Sequence, residues 1–188
     1  MDTFINFLEK HMGKIECGWH QNQQGHRLPF QVVMYEGGPM PGAKSYSTLG
    51  LSLEALTDGE SGELIHQELI FLTDALFDHP EIPFILQNTA LMALNSHTPY
   101  FRGNVIGPFG PMFEGCDMEA FYVTLPVYFN EPFRVYETKA GVRYNMMWLI
   151  PITASEADFI EANGWGIFED LLSETQPDLT DLYRESLV

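Results

Sequence analysis

The sequence predicts an α+β domain with a mixed or mostly antiparallel sheet, helices at both ends of the chain and one inserted helix. Three observations carry that prediction. Apolar residues recur at helical spacing near the two ends and once in the middle. Runs rich in β-branched and aromatic side chains fill the intervals, punctuated by Gly, Pro, Asn and Asp. Several of those runs lie close enough to pair as hairpins. With 188 residues, 45% hydrophobic and 13% aromatic, one domain over 1–188 has material for a sizeable core.

In chain order, Asp2–Met12 places Phe4, Ile5, Leu8 and Met12 at helical spacing, and Gly13 is the stop. Ile15–Trp19 is too short to assign, and His20–Leu28 reads as polar loop. Phe30–Tyr35 is a strand bounded by Pro29 and Gly37-Gly38. Ser45–Leu53 alternates, which puts Leu49, Leu51 and Leu53 on one face and Thr48, Gly50 and Ser52 on the other. Gly50 inside a strand predicts close approach by a neighbour. The acidic turn Thr57–Glu63 follows. Leu64–Thr73 then returns as the antiparallel partner across a seven-residue loop.

Pro80–His97 is the inserted helix, with Pro80 or Pro83 in its first turn. Ile82, Ile85, Leu86, Ala90, Ala93 and Leu94 form its apolar arc, and Gln87, Asn88 and Asn95 lie opposite. Arg102–Cys116 is loop, rich in Gly and Pro but without phosphate-binding spacing. Phe121–Phe129 reads as a strand interrupted at Pro126, hence an edge or a bulge. Phe133–Thr138 and Val142–Ile150 form a hairpin across Lys139-Ala140-Gly141, and Pro151 is expected to end that ladder. Thr153 and Glu156 match a capping box for a helix that Asn163-Gly164 closes. A last helix starts near Trp165 and ends before Pro177.

The formal charge of −17, from 26 acidic and 9 basic side chains, repels nucleic acid and anionic membranes and attracts basic partners. The nearly apolar run Ala120–Phe129 is too short to span a bilayer. The N-terminus lacks the basic region of a signal peptide, and Cys17 and Cys116 form no disulfide framework, so a cytoplasmic protein is expected. No cofactor and no metal are expected, since the six histidines show neither HExxH nor HxH spacing. His66 and Glu68 share a strand face, but no nucleophile accompanies them, and GxSxG is absent. No catalytic residue is assigned. Candidate partner contacts are the loop carboxylates Asp58, Glu60 and Glu63, with Glu114, Asp117 and Glu119, placed to meet a basic protein. The enzymatic alternative is a metal-assisted hydrolase using His20, His26 or His66 with nearby carboxylates.

Four segments, MYEGGPMPGAKSYSTLGLS, HQELIF, MMWLIPITASEADFI and DLYRESLV, together resemble the suppressor of fused (SUFU) domain family from about Tyr35 to the C-terminus. Tyr35-Glu36-Gly37 matches its strand-end motif, and Thr48, Gly50 and Ser52 its T-x-G-x-S strand. Glu68-Leu69 matches its E-L strand. Leu149 to Thr153, with Pro151 in the middle and Glu156 beyond, matches its L-I-P-I-T element. Asp181, Arg184 and Ser186 match its D-x-x-R-x-S ending. The resemblance implies a SUFU-like α+β domain that binds proteins without catalysis. The family includes an animal protein that holds a transcription factor in the cytoplasm. It also includes short bacterial proteins read as immunity proteins against polymorphic toxins, and this chain, with one domain, is similar in length to those. The function so implied is neutralisation of a basic toxin domain by binding it and occluding its active site. The alternative is a scaffold or regulatory binding protein with no toxin partner. The motif residues also read as structure: small side chains at 48, 50 and 52 admit close packing, and Glu36 and Glu68 satisfy buried backbone donors.

Overall fold

The computed structural model describes residues 3–38 and 40–188, so Asp2 of the first expected helix and Pro39 of the following loop lie outside it. Four helices and nine strands are described: α1 (Phe4–Met12), β1 (Lys14–Gln21), β2 (Arg27–Glu36), β3 (Ala43–Leu49), β4 (Leu56–Thr57), β5 (Leu64–Asp74), α2 (Ile82–Ser96), β6 (Val105–Ile106), β7 (Met118–Thr124), β8 (Val135–Glu137), β9 (Arg143–Thr153), α3 (Ala154–Asn163) and α4 (Trp165–Thr175). The sheet order is β1-β2-β3-β5-β9-β7-β6, with β4 added to β5 and β8 to β9. All pairings are antiparallel except the central one: β5 and β9 run parallel, from His66 beside Tyr144 to Ile70 beside Trp148. A parallel pair needs a long crossover, and α2 with the segments after it supplies that crossover. The mixed α+β class is as the sequence predicts.

Both faces of the central strands are covered. Met146, Trp148, Ile150 and Ile152 of β9 pack with Leu8 and Met12 of α1, Ile160 of α3 and Phe168 of α4. Met147 and Leu149 turn to the opposite face, against Ile82, Leu86 and Ala90 of α2. Burial on both sides is why this strand reads as an unbroken apolar run rather than an alternation. Each fully buried large side chain of this kind contributes roughly 1.5–3 kcal/mol.

Several elements depart from expectation for identifiable reasons. The β1–β2 hairpin at the sheet edge takes in His20–Leu28, which the sequence predicts as loop, and Pro29 lies inside β2. Its turn is polar because the Asn22 carboxamide oxygen accepts the N–H groups of Gln24 (3.1 Å) and His26 (2.9 Å). Strand β3 ends at Leu49. Gly50 has φ 101°, and Leu51–Leu53 is a turn of 3-10 helix, so Leu51 is buried while Leu53 is exposed. A Cβ at Gly50 would meet nothing nearer than 3.7 Å, so glycine serves the left-handed backbone here and not a close approach. β3 does pair with β5, but β4 intervenes, and the Thr57–Glu63 turn joins β4 to β5.

Gln87, expected on the outer face of α2, is buried and donates to the carbonyls of Trp19 and Gln21, both at 3.1 Å. It ties α2 to the edge hairpin. Strand β7 stops at Thr124, before Pro126, and lies between β9 and β6 instead of at an edge. Pro151 does not end the ladder: β9 continues to Thr153. The rungs to β5 stop at Trp148, so Pro151 sits beside Phe121 of β7 where the opposite flank needs no donor. Of the two cysteines, Cys116 is buried, whereas Cys17 is only partly covered.

Candidate binding surface

Two buried carboxylates organise most of the motif positions. Glu68, in the middle of β5, is fully buried and receives four donors. Gly50 N–H (2.9 Å), Ser52 N–H (3.2 Å) and Ser52 Oγ (2.6 Å) reach one oxygen, and Thr48 Oγ1 (2.5 Å) reaches the other. Thr48 Oγ1 in turn accepts Leu69 N–H at 2.8 Å. Burial pushes the Glu68 carboxyl up, while Ser52, Thr48 and Gly50 pull it back down. The left-handed turn at Gly50 is what aims the N–H groups of Gly50 and Ser52 at this one oxygen. His66, two residues earlier, does not pair with Glu68; its Nδ1 donates to the Ser52 carbonyl at 2.7 Å. The pair expected on one strand face is thus held by backbone and hydroxyl groups, with Glu68 fully buried and His66 half-buried.

Glu156 and Arg184 form the second node, both buried. Arg184 Nη1 and Nη2 donate to the two Glu156 oxygens at 2.6 and 2.8 Å, and Nη2 also reaches the Pro151 carbonyl at 3.1 Å. Thr153 N–H (2.9 Å) and Leu187 N–H (3.1 Å) complete the carboxylate's shell. The predicted capping box is present, with Thr153 Oγ1 accepting Glu156 N–H at 3.2 Å. The same glutamate therefore starts α3 and pins the C-terminal tail. Such a pair demands that every lone pair be met, and it is.

The six loop carboxylates are divided. Asp58 folds its own turn, accepting Glu60 N–H (3.0 Å) and Ser61 Oγ (2.6 Å), and these donors hold its carboxyl below the usual range. Glu60 and Glu63 are exposed beside it. Glu114 and Asp117 are exposed around Cys116, whose thiol donates to the Leu182 carbonyl at 3.1 Å, while Glu119 lies on β7 and is half-buried. The two groups sit at opposite ends of β5. Glu63 immediately precedes its first residue, whereas Phe113, next to Glu114, packs on Phe77 and His79 beyond its last.

A cleft of about 580 Å³ between α4 and β7 is lined by Arg102, Tyr122, Thr124, Tyr128, Arg134 and Glu169, among others. Glu169 accepts Arg102 Nε at 2.9 Å and a second Arg102 nitrogen, with Tyr122 Oη (2.7 Å) and Thr124 Oγ1 (3.0 Å). Burial pushes the Glu169 carboxyl up, but Arg102, Tyr122 and Thr124 outweigh it and hold it low. Its oxygens are thus committed to the fold. Nothing in local spacing announces this cluster, since Arg102 and Glu169 are 67 residues apart. Among the described residues no group of three His, Cys, Asp or Glu is placed to hold a metal, so His20, His26 and His66 are not gathered with carboxylates as the hydrolase alternative requires. No described helix is long and apolar enough to cross a membrane.

A model of the Suppressor of fused protein (SUFU) family matches residues 27–185. The chain belongs to that family. Immunity protein YqcF of Bacillus subtilis (strain 168) is 25% identical over 178 residues, 93% of this chain and 88% of its own. The same fold is seen in a SUFU homologue from Neisseria gonorrhoeae FA 1090, with TM-score 0.74 and 22% identity, covering 97% of this chain and 93% of that one. It recurs in the crystal structure of the Sufu–Fu complex, with TM-score 0.68 and 14% identity over 97% of this chain and 90% of that one.

In this SUFU-family chain the motif residues resolve into structural roles. Tyr35 is buried with its hydroxyl 2.8 Å from Ser47 Oγ, and Gly37 leaves β2 with φ 69°. Thr48, Gly50, Ser52 and Glu68 are one node; Pro151, Thr153, Glu156 and Arg184 are the other. Glu36 departs from expectation: its side chain is exposed, because β2 ends there at the surface, and no buried donor among the described residues reaches it.

Proposed function

We propose that this chain is an immunity-type protein that neutralises a toxin domain by binding it. The observation that carries this reading is its likeness to a Bacillus subtilis immunity protein along nearly the whole length of both chains. The charge supports it. Lys14, Lys44, Arg102, Arg134 and Arg184 each lie within 4.0 Å of a carboxylate, so much of the small basic complement is already paired and the unbalanced surface charge is acidic. Such a field speeds encounter with a basic partner and disfavours acidic ones. The mode of action is occlusion in the cytoplasm of the producing cell, without catalysis. Support for that comes from the commitment of Glu68, His66, Glu156 and Glu169 to internal partners.

Co-expression tests it. A toxin domain from the adjoining reading frame should arrest growth alone and lose that effect when this chain is supplied. A toxin equally lethal with and without the chain sinks the proposal.

A further inference from the structure

Three segments meet beyond the end of β5: Leu76–His79, the tip of the β6–β7 connection at Phe113–Asp117, and the tail at Asp181–Tyr183. Phe77 packs edge-on to Phe113 at 5.0 Å and to Tyr183 at 5.8 Å, and His79 lies 4.8 Å from Phe113. Phe113 is buried and Phe77 and His79 are half-buried, but Tyr183 is 58% and the adjoining Leu76 93% exposed. Leu76 is held out rather than left loose, since the Asp74 carboxylate accepts its N–H at 2.6 Å. Tyr183 is likewise fixed by Asp181, which accepts its N–H at 2.8 Å. An exposed leucine next in sequence to half-buried rings, with an exposed tyrosine packed on them, is the pattern of a contact surface.

Its charge is one-sided. Asp78, Glu114 and Asp117 are exposed, and the hydrogen bond from Cys116 Sγ to the Leu182 carbonyl (3.1 Å) brings the chain at Asp117 beside the tail at Asp181. Lys44 pairs with Asp78, at 3.2 Å. An aromatic centre with an acidic rim complements a guanidinium or ammonium whose aliphatic stem lies along the rings while its head meets carboxylates. At the other end of β5, by contrast, Asp58 is spent on its own turn.

We infer that this aromatic platform is the docking surface for the partner protein, and that the partner meets it with a basic segment in which arginine or lysine alternates with apolar residues. The inference rests on the binding reading above and names the surface and the chemistry of the segment it receives. Of the two acidic turns, the one holding Glu114 and Asp117 borders the interface and the one holding Asp58, Glu60 and Glu63 does not.

Two arms test it on the full chain. In the first, the isotopically labelled protein is titrated with a synthetic peptide alternating arginine and leucine, and with a glutamate–leucine counterpart, and amide shifts are mapped. Shifts centred on 76–81, 113–117 and 183, for the arginine peptide alone, are expected. Leu76→Ser with Tyr183→Ser should weaken that binding about tenfold at unchanged Tm. Shifts centred on 58–63, or spread evenly over the acidic surface, overturn the inference. The second arm repeats the toxin co-expression with the double variant. Full protection by a variant that has lost the two side chains overturns the platform and leaves neutralisation standing. Failure of the unsubstituted chain to protect overturns neutralisation instead, and the peptide map alone then decides the platform.

Discussion

Arg184 shows how a single side chain can hold a terminus. It neutralises Glu156 through two short hydrogen bonds in a site from which water is excluded. Arg184→Ala leaves that carboxylate with backbone donors alone, and a buried charge so orphaned costs about 3–5 kcal/mol. Denaturant unfolding should show a loss of that size, with Arg184→Lys intermediate because an ammonium cannot answer both oxygens. His11 sets a second test. It is buried between Phe7 (4.9 Å) and Phe133 (5.2 Å), and burial followed by the charge of Lys10 lowers it from its ordinary 6.5, against a hydrogen bond to Asn130. A lowered histidine makes the unfolded chain the better proton binder. The stability it contributes is present above 6.5 and is lost as pH falls toward the folded value. Glu68 acts in the opposite sense above 4.5, because a raised carboxyl binds its proton better in the folded state. The informative measurement is therefore a difference: the wild type should gain on His11→Leu as pH rises from about 5 to about 7. Equal pH slopes for the two proteins contradict the assignment.

At the scale of elements, the corner between α1 and β1 depends on a residue with no side chain. Gly13 has φ 100°, and a Cβ there would stand 2.3 Å from the carbonyl oxygen of Glu36. Gly13→Ala should therefore exceed the roughly 1–3 kcal/mol of backbone strain alone, because the rung from Lys14 to Glu36 must open as well. Faster hydrogen exchange at residues 14–17 together with a lower Tm is the expected outcome. Elements whose side chains obey one period were legible in the sequence: α1, α2, β5, the β8–β9 hairpin and the capping box at Thr153 all lie where pattern puts them, within a few residues. Misplaced ends belong to residues whose role is tertiary. Gln87 looks solvent-facing by composition, yet its amide answers two carbonyls of a hairpin 66 and 68 residues away. Gly50 looks like a strand residue, yet it turns the chain toward Glu68.

For the whole molecule, a charge of −17 makes association with a basic partner strongly dependent on ionic strength. Raising salt from 50 to about 500 mM should slow association tenfold or more while dissociation changes little. An association rate indifferent to salt, read by stopped-flow mixing, contradicts electrostatic steering. Both acidic turns contribute to that field as charges, but only the turn at Glu114 and Asp117 adjoins a packed aromatic cluster with an exposed ring, that of Tyr183.

Local pattern determined the α+β class, the helix caps and the order of the SUFU motifs, because periodicity, capping and turn chemistry act between residues a few positions apart. Tertiary structure alone decided that β5 and β9 run parallel at the centre and that the T-x-G-x-S residues serve one buried glutamate. It alone decided which carboxylates stand beside an aromatic platform. Those facts rest on contacts between residues 16 positions apart, as Ser52 and Glu68 are, to 106, as Phe77 and Tyr183 are, and no local spacing records a contact of that kind.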